Sequence, residues 1–405
     1  MTGVQTCALP IWSFDFTTLT GMNDFPLYLI LIGFAFKAGF FPFYSWLPQA
    51  HPVAPSHVSG IMSGLMVKTG FYGLLVMLTS NYFSLREVII FIVVSMITAF
   101  LGVVNSMAEN NIKRVLAYST IENIGIMGIG ISLGLLGIKT GHEEMATLCF
   151  AGSLLHIFFH SIFKPLLFYL SGNILCTTDT LDMDALGGLS KRMPRTSIYF
   201  MIGLVAISAL PLGNGFISEF TMLLGLFHGV TDVGFLITIA SIASIGLLGF
   251  IGALALISFT KLYSIVFLGE ARSQSALNAK EGSSGMLFPS FILASAVLLT
   301  GLIGNVSLRF VKPLLRWMDL DMSIIPELMG IYHQLSLILG MLVLIVVFLL
   351  LVRKKTVRIR VEDTWGCGYM APNPKLQYTS NAYIQPLSYF LKPFLLISRF
   401  KDKAI

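Results

Sequence analysis

Apolar runs of about 20 residues recur along almost the whole chain and are separated by short polar loops. A helix needs about 20 apolar residues to cross the roughly 30 Å hydrocarbon core of a membrane, so each run predicts a transmembrane helix. The segments 196–229 and 234–268 are long enough to be broken or steeply kinked. The predicted fold is an all-α, polytopic transmembrane helix bundle. Its nine spans are 25–47, 57–80, 86–107, 115–138, 144–175, 196–229, 234–268, 286–310 and 331–352.

Composition agrees with a membrane protein. Hydrophobic residues make up 55% of the 405 residues and charged residues 11%, whereas soluble domains are about 25% charged. The four cysteines, Cys7, Cys149, Cys176 and Cys367, lack the paired spacing of zinc or iron–sulfur sites, so we expect no cofactor in this chain. No glycine-rich phosphate loop follows a predicted strand, which argues against nucleotide binding.

Lysines and arginines are distributed unevenly between the two sets of loops. The loops after odd-numbered spans, together with the segment after position 352, carry seventeen, against five on the opposite side. By the positive-inside rule the richer side is cytoplasmic, so the C-terminus is cytoplasmic and the first span begins outside. Because the excess follows the topology, it does not indicate a nucleic-acid partner.

Four lysines and two glutamates lie inside the apolar spans, away from the first and last few residues of each span. They are Lys37, Lys68, Glu122, Lys164, Glu219 and Lys261, and all six are candidate members of a proton path. An unpaired lysine at the bilayer centre costs about 2.5–3.5 kcal/mol on insertion scales, so each lysine calls for a partner or a function. Lysine, unlike arginine, can release its proton when it is desolvated. The alternative is that a lysine extends to the membrane interface, which fits Lys261 best because it lies near the cytoplasmic end of its span.

The stretch HIFFHSIFKPLLFY places two histidines and a lysine on one helix face. His156, His160 and Lys164 follow at successive i, i+4 steps, about 6 Å apart along the axis. Imidazole accepts and donates protons near neutral pH, so the face is interpreted as part of a proton path with bridging waters. The alternative is a pair of hydrogen-bonded helix-packing histidines. Metal binding would require a third ligand that the sequence does not place there.

Two segments are expected to interrupt helices. Lys37 precedes PFYSWLPQAHPVAP, whose four prolines must break the helix, and Glu219 follows LPLGNG at 210–215. Unwound backbone at membrane depth is tolerated where it lines an internal polar cavity. Each break precedes a span with a further lysine, Lys68 or Lys261. The repetition suggests discontinuous helices in two related, inverted units, of which the first is incomplete.

Four motifs resemble the antiporter-like membrane subunits shared by respiratory complex I, multisubunit cation/proton antiporters and membrane-bound nickel-iron hydrogenases. The motifs are FKAGFFPFYSWLPQAHPVAPSHVSGIMSGLMVKTGFYGLL (36–75), NNIKRVLAYSTIENIG (110–125), HIFFHSIFKPLLFYLSG (156–172) and ALPLGNGFISEF (209–220). The resemblance implies that Lys37 pairs with a glutamate on an earlier helix. It also implies a hydrated axis through the membrane centre, comprising Lys68, His156, His160, Lys164 and Glu219. Glu122 and the tail at 362–387 are similar to the formate hydrogenlyase and hydrogenase 4 branch.

The resemblance implies a proton-translocating membrane subunit without a redox centre of its own. Expected partners are other membrane subunits, peripheral nickel-iron and iron-sulfur subunits, the lipid bilayer and protons, in the inner (plasma) membrane of a prokaryote. The alternative is a subunit of a cation (sodium)/proton antiporter without redox coupling, and a third reading is a scaffold that moves no ions. The chain itself is expected to be non-catalytic.

The opening residues 1–11 are treated separately from the fold. TGVQTCALPI resembles the translation of a short-read sequencing adapter, and the alternative is a natural N-terminus. Residues 12–310 are predicted to form the antiporter-like domain without its first six helices, 311–352 a linker and a further helix, and 353–405 a cytoplasmic or interfacial tail. We expect an upstream segment of about six spans that carries the buried glutamate partner of Lys37.

Overall fold

The computed structural model describes residues 24–79, 84–231, 234–356 and 376–394. Within these ranges the regular elements are helices, accompanied by an isolated β-bridge between Asn111 and Asp182. The predicted all-α helix bundle is confirmed. The expectations for residues 1–11 and for the tail at 357–375 and 395–405 lie outside the described residues.

The helices are numbered in chain order. They are α1 (Asp24–Ala38), α2 (Trp46–Val53), α3 (Ser56–Ile61), a π-turn (Met62–Met66), α4 (Val67–Thr79), α5 (Leu85–Ala108), α6 (Ile112–Thr140), α7 (Glu143–Thr178), α8 (Leu189–Arg192), α9 (Pro194–Ile207), α10 (Asn214–Thr231), α11 (Phe235–Phe267), α12 (Gln274–Leu277), α13 (Ser284–Leu302), α14 (Gly304–Trp317), α15 (Ile325–Thr356) and α16 (Ser380–Leu391). Short 3₁₀ turns occupy Met183–Ala185 and Lys392–Phe394.

Seven helical segments of the described chain are long and apolar enough to cross a membrane. The other two predicted spans, 25–47 and 196–229, coincide with interrupted helices, so each contributes shorter apolar pieces. Of the two long predicted segments only 196–229 is broken. In 234–268 the expected break is absent. Helix α11 contains no proline and runs as one 33-residue helix.

Helix α6 forms the centre of the bundle, between α5 and α7. Of the most apolar 18-residue stretch of α6, 94% is buried inside the protein. The corresponding share of α15 is 6%, so α15 lies at the periphery. The approach of α5 to α6 depends on Gly102, where a Cβ atom would lie 2.3 Å from the backbone nitrogen of Glu122. Close packing at this point brings the polar residues of α6 into the interior.

Both predicted helix breaks are confirmed, but Pro48 and Pro52 lie within α2 and do not interrupt it. The first lies between α1 and α2 and contains Gly39 with φ 91°. The second lies between α9 and α10, where Ala209 (φ 47°) and Leu212 (φ 79°) are left-handed. This conformation costs a non-glycine residue about 1–2 kcal/mol. The side-chain nitrogen of Asn214 donates to Thr300 Oγ1 at 3.1 Å, which ties the second break to α13.

The described part of the C-terminal segment packs back onto the bundle. The Asp184 carboxylate accepts hydrogen bonds from the backbone nitrogen (2.8 Å) and hydroxyl (2.5 Å) of Ser380 at the start of α16. A turn later, the Tyr383 hydroxyl donates to Thr260 Oγ1 of α11 at 2.9 Å. These contacts hold α16 against the end of α11 near Lys261.

Candidate functional site

Lys68 contacts a histidine from another helix. Lys68 is 9% exposed and His160 is fully buried, and Lys68 Nζ is in hydrogen-bond contact with His160 Nδ1. Nζ also donates to the carbonyl oxygen of Ser63, in the π-turn just before α4. Turns of this kind are frequent at functional sites because they redirect backbone groups. A Cβ atom at Gly64 would lie 2.6 Å from Pro165 Cγ, so glycine permits the close approach of α7.

Lys164 lies one turn beyond His160 on α7 and is fully buried. Its ammonium nitrogen donates to the carbonyl oxygen of Leu116 at 2.9 Å and to Ser119 Oγ at 2.6 Å, both on α6. Both acceptors are uncharged. The site therefore holds the Lys164 amine by hydrogen bonds to uncharged groups.

His156 connects three helices. Its Nε2 lies 2.9 Å from Asn123 Oδ1 of α6, and its Nδ1 lies 2.9 Å from Ser218 Oγ of α10. Asn123 in turn donates to the carbonyl oxygen of Ser119 at 2.7 Å. The predicted face of α7 is therefore buried and polar throughout, and its role in proton movement stays a prediction.

The two membrane carboxylates, Glu122 and Glu219, differ in burial. Glu122 is 1% exposed and Glu219 is partly buried, and neither forms an ion pair with a lysine that the structure describes. Glu122 Oε2 and His160 Nε2 are buried without a hydrogen-bond partner among the described residues. Buried polar atoms ordinarily bond to protein groups or to ordered water, so these two atoms favour a hydrated site.

Lys37 differs from the other membrane lysines because its side chain is exposed. It lies in the last turn of α1, just before the first break. It makes no hydrogen bond or ion pair with any residue in the described ranges. The glutamate expected from an earlier helix is not among those residues, so this pairing stays a prediction.

Lys261 is fully buried rather than extended to the interface. Its ammonium nitrogen donates to the carbonyl oxygens of Met107 (2.6 Å) and Glu109 (2.7 Å) at the end of α5. The alternative that Lys261 extends to the interface is contradicted, because its nitrogen is buried and bonded to these oxygens inside the bundle. Its assignment to the proton path stays a prediction. A lysine at this place satisfies terminal carbonyls and complements the negative end of the helix dipole.

Sequence reasoning missed the neutral residues that connect the titratable ones. Ser119 and Asn123 lie one turn apart within a predicted apolar span, and Ser218 directly precedes Glu219. Their polarity within apolar runs was a usable signal, since buried polar groups require partners.

His51 was also missed. It is fully buried on α2, its ring stacks on that of Phe168 at 4.7 Å, and neither ring nitrogen has a partner among the described residues. The sequence offered one signal for His51, because it lies just after the first helix break and within the motif at 36–75.

Known proteins are similar to this chain in sequence. A family model described as "NADH:quinone oxidoreductase/Mrp antiporter, TM" matches residues 10–246. Hydrogenase-4 component B of Escherichia coli is 33% identical over 95% of this chain and 60% of its own length. Formate hydrogenlyase subunit 3 of the same species is 34% identical over 70% of this chain and 46% of its own length.

A solved structure shows the same fold. A chain of the membrane-bound sulfane sulfur reductase, described as an archaeal respiratory membrane complex, aligns with a TM-score of 0.75 at 20% identity. The alignment covers 98% of this chain and 66% of that chain. This chain therefore spans between about half and two thirds of the length of these relatives.

Proposed function

The chain belongs to the NADH:quinone oxidoreductase/Mrp antiporter transmembrane family, and we propose that it is a proton-translocating membrane subunit of an energy-converting hydrogenase or an NADH:quinone-oxidoreductase-like complex. Redox chemistry takes place in partner subunits and drives proton movement through this chain. The similarity to proteins named for hydrogenase-4 and formate hydrogenlyase supports the hydrogenase complex over the quinone-linked one.

The observation that carries this proposal is the buried contact between Lys68 and His160. It joins an amine and an imidazole, two groups that can both hold and release a proton, from different helices. Lys164 follows on the same face of α7, and Glu122 lies buried on α6. A purely structural core would gain more from apolar packing, because buried charges are costly to hold.

The proposal places the electron carriers in other subunits. The described cysteines, Cys149 and Cys176, are free and distant in sequence. Partner subunits with nickel-iron and iron-sulfur centres would oxidise or reduce the substrate, and further membrane subunits would complete the assembly. The basic loops support insertion in a prokaryotic inner membrane with a cytoplasmic C-terminus.

A second candidate is exchange of a cation such as sodium for protons without electron transfer. The unpartnered Oε2 atom of buried Glu122 favours it, because carboxylate oxygens are preferred ligands of hard cations. The family description also includes the Mrp antiporters. The same carboxylate could take part in either function, so transport measurements must distinguish the two.

The test uses the full-length chain in its assembled complex, reconstituted into sealed vesicles. Lys164→Met removes the titrating group and keeps side-chain bulk, so we expect proton transport to fall by at least about tenfold while electron transfer partners stay assembled. Lys191→Met is the matched control, since Lys191 is 68% exposed at the surface. Proton transport is measured during electron transfer, with and without sodium.

Three outcomes are decisive. Transport that stops in Lys164→Met and continues in Lys191→Met supports a proton path through this chain. Sodium-proton exchange without any redox substrate would support the antiporter instead. Unchanged transport in assembled Lys164→Met would contradict both functions for this site and support a scaffold.

A further inference from the structure

The partners of Asn123 determine which nitrogen of His156 carries a hydrogen. The side-chain amide of Asn123 lies 2.7 Å from the carbonyl oxygen of Ser119, which can only accept. The amide nitrogen must therefore face Ser119, and the amide oxygen must face His156. Because that oxygen also only accepts, Nε2 of His156 keeps its hydrogen whether the ring is neutral or charged.

The atom of His156 that gains and loses a proton is consequently Nδ1. Its neighbour is the hydroxyl of Ser218, at 2.9 Å. The same hydroxyl lies 2.8 Å from the carbonyl oxygen of Gly215, one turn earlier on α10. A hydroxyl carries one hydrogen, so Ser218 can donate to Gly215 or to His156, but not to both at once.

We propose that the Ser218 hydroxyl is a two-position switch through which His156 exchanges its proton. When His156 is neutral, Ser218 donates to Nδ1. When His156 is charged, Nδ1 donates to Ser218 Oγ, and the hydroxyl hydrogen turns to the carbonyl oxygen of Gly215. The inference rests on the proposed function, because it concerns the route of a transported proton.

The transfer breaks two bonds and forms two, with no change in oxidation state. A hydrated proton passes from its water to Ser218 Oγ as Ser218 passes its own hydrogen to Nδ1. The O–H bond of the hydrated proton and the original O–H bond of Ser218 break, while a new Ser218 O–H bond and an N–H bond form. The electron pairs remain on oxygen and nitrogen, and a neutral water molecule is left. Discharge of His156 reverses these steps.

The switch determines the side of His156 on which the proton is exchanged. The side-chain amide of Asn123 does not relay protons near neutral pH. The contacts that run from Lys164 through Ser119 and Asn123 therefore position His156 but carry no proton to it. Exchange takes place on the α10 side. Gly215 lies in the first turn after the second break, so the charge of His156 also decides whether that turn gains a hydrogen bond.

Several titratable groups surround His156 and will shift its titration. They include His160 and Lys164 on α7 and Lys68 on α4, which interact electrostatically with His156. Glu122 on α6 and Glu219 on α10 adjoin its hydrogen-bond partners Asn123 and Ser218 in sequence. These groups alter the pH at which His156 titrates. Which ring nitrogen of His156 keeps its hydrogen depends only on Asn123. The tautomer is therefore a more specific prediction than the pH at which His156 titrates.

The first test measures that tautomer in the full-length assembled complex. Nitrogen-15 labelled histidine is followed by solid-state NMR over a pH series, and His156→Gln identifies the signal by difference. We expect a neutral form with hydrogen on Nε2 and a titrating Nδ1. A neutral form with hydrogen on Nδ1 would overturn the switch, and this measurement requires no change at Ser218.

The second test changes the hydroxyl. In Ser218→Ala we expect proton transport to fall by about tenfold or more, while Ser218→Thr, which keeps the hydroxyl, retains most of it. Ser153→Ala is the matched control, since Ser153 is equally buried and its hydroxyl donates to the carbonyl oxygen of Met127 at 2.7 Å. We expect that control to transport normally.

The outcomes separate the switch from the proposed function. If Ser218→Ala and Ser153→Ala transport protons equally well, the switch is overturned. Proton transport by the wild-type complex would still uphold the proposed function. Equal losses in Ser218→Ala and Ser218→Thr would also overturn it, because the loss would then follow packing. Absence of transport in the wild-type complex would contradict the proposed function itself, whatever the tautomer.

Discussion

Lys68 and Lys261 are both buried lysines, yet they lie in different chemical surroundings. Lys68 meets the imidazole of His160, whereas Lys261 meets two backbone carbonyl oxygens, those of Met107 and Glu109. An imidazole can take up the proton that an amine releases, but a peptide carbonyl cannot at physiological pH. The same residue type is therefore placed for proton exchange in one region and for fixed hydrogen bonding in the other.

The comparison shows that burial alone does not identify a proton-path residue. Sequence reasoning assigned both lysines to the path, because both interrupt apolar runs. Their contacts favour a relay for Lys68 and a structural cap for Lys261, at the end of α5. Changes at each position can break or sharpen this distinction.

The largest effect is expected at Lys68. Lys68→Met removes the amine that contacts His160, so proton transport by the assembled complex should fall by at least about 100-fold. Lys68→Arg should fail as well, because a guanidinium does not release its proton in a protein. Both variants are compared with wild type in reconstituted vesicles, with assembly checked by subunit content.

Full transport in Lys68→Arg would break the comparison. It would mean that a permanent positive charge is sufficient at this position, and Lys68 would then act as Lys261 is inferred to act.

A smaller effect, of a different kind, is expected at Lys261. Lys261→Met leaves two carbonyl oxygens at the end of α5 without their donor, which costs about 1–3 kcal/mol. Assembly yield and melting temperature should fall, while transport per assembled complex stays unchanged. Lys261→Arg keeps N–H donors and should recover part of the lost stability.

Transport per assembled complex at Lys261→Met is the deciding measurement. A loss as large as that of Lys68→Met would return Lys261 to the proton path, as the sequence predicted.

The smallest effect is expected at Lys191, which pairs with Glu270 at 3.2 Å between side chains that are 68% and 64% exposed. Exposed pairs contribute about 0.2–1 kcal/mol and are weakened by salt. Lys191→Met should leave transport unchanged and shift the melting temperature little, as measured by thermal unfolding in low and high salt. A loss of proton transport in Lys191→Met would show that an exposed positive charge also affects transport. The losses at Lys68 and Lys261 could then no longer be attributed to their buried contacts.

Local sequence determined much of the architecture. The length of each apolar run predicted the spans, since the hydrocarbon thickness sets a minimum helix length. Pro42 and the LPLGNG segment predicted the two breaks, because proline lacks the backbone N–H that a regular helix needs and glycine lowers helix stability. The i, i+4 spacing also placed His156, His160 and Lys164 on one face, which follows from helix geometry alone.

Only the tertiary structure decided which groups meet across helices. Hydropathy does not specify helix register, so the contact of Lys68 with His160 and the position of Ser218 beside His156 could not be read from spacing. Lys261 lies near a predicted helix end in sequence, but the C-terminus of α5 folds against it and supplies acceptors within the bundle. Depth in a membrane protein depends on neighbouring helices as well as on distance along the chain, because each neighbour can replace the solvent that a polar group would otherwise need.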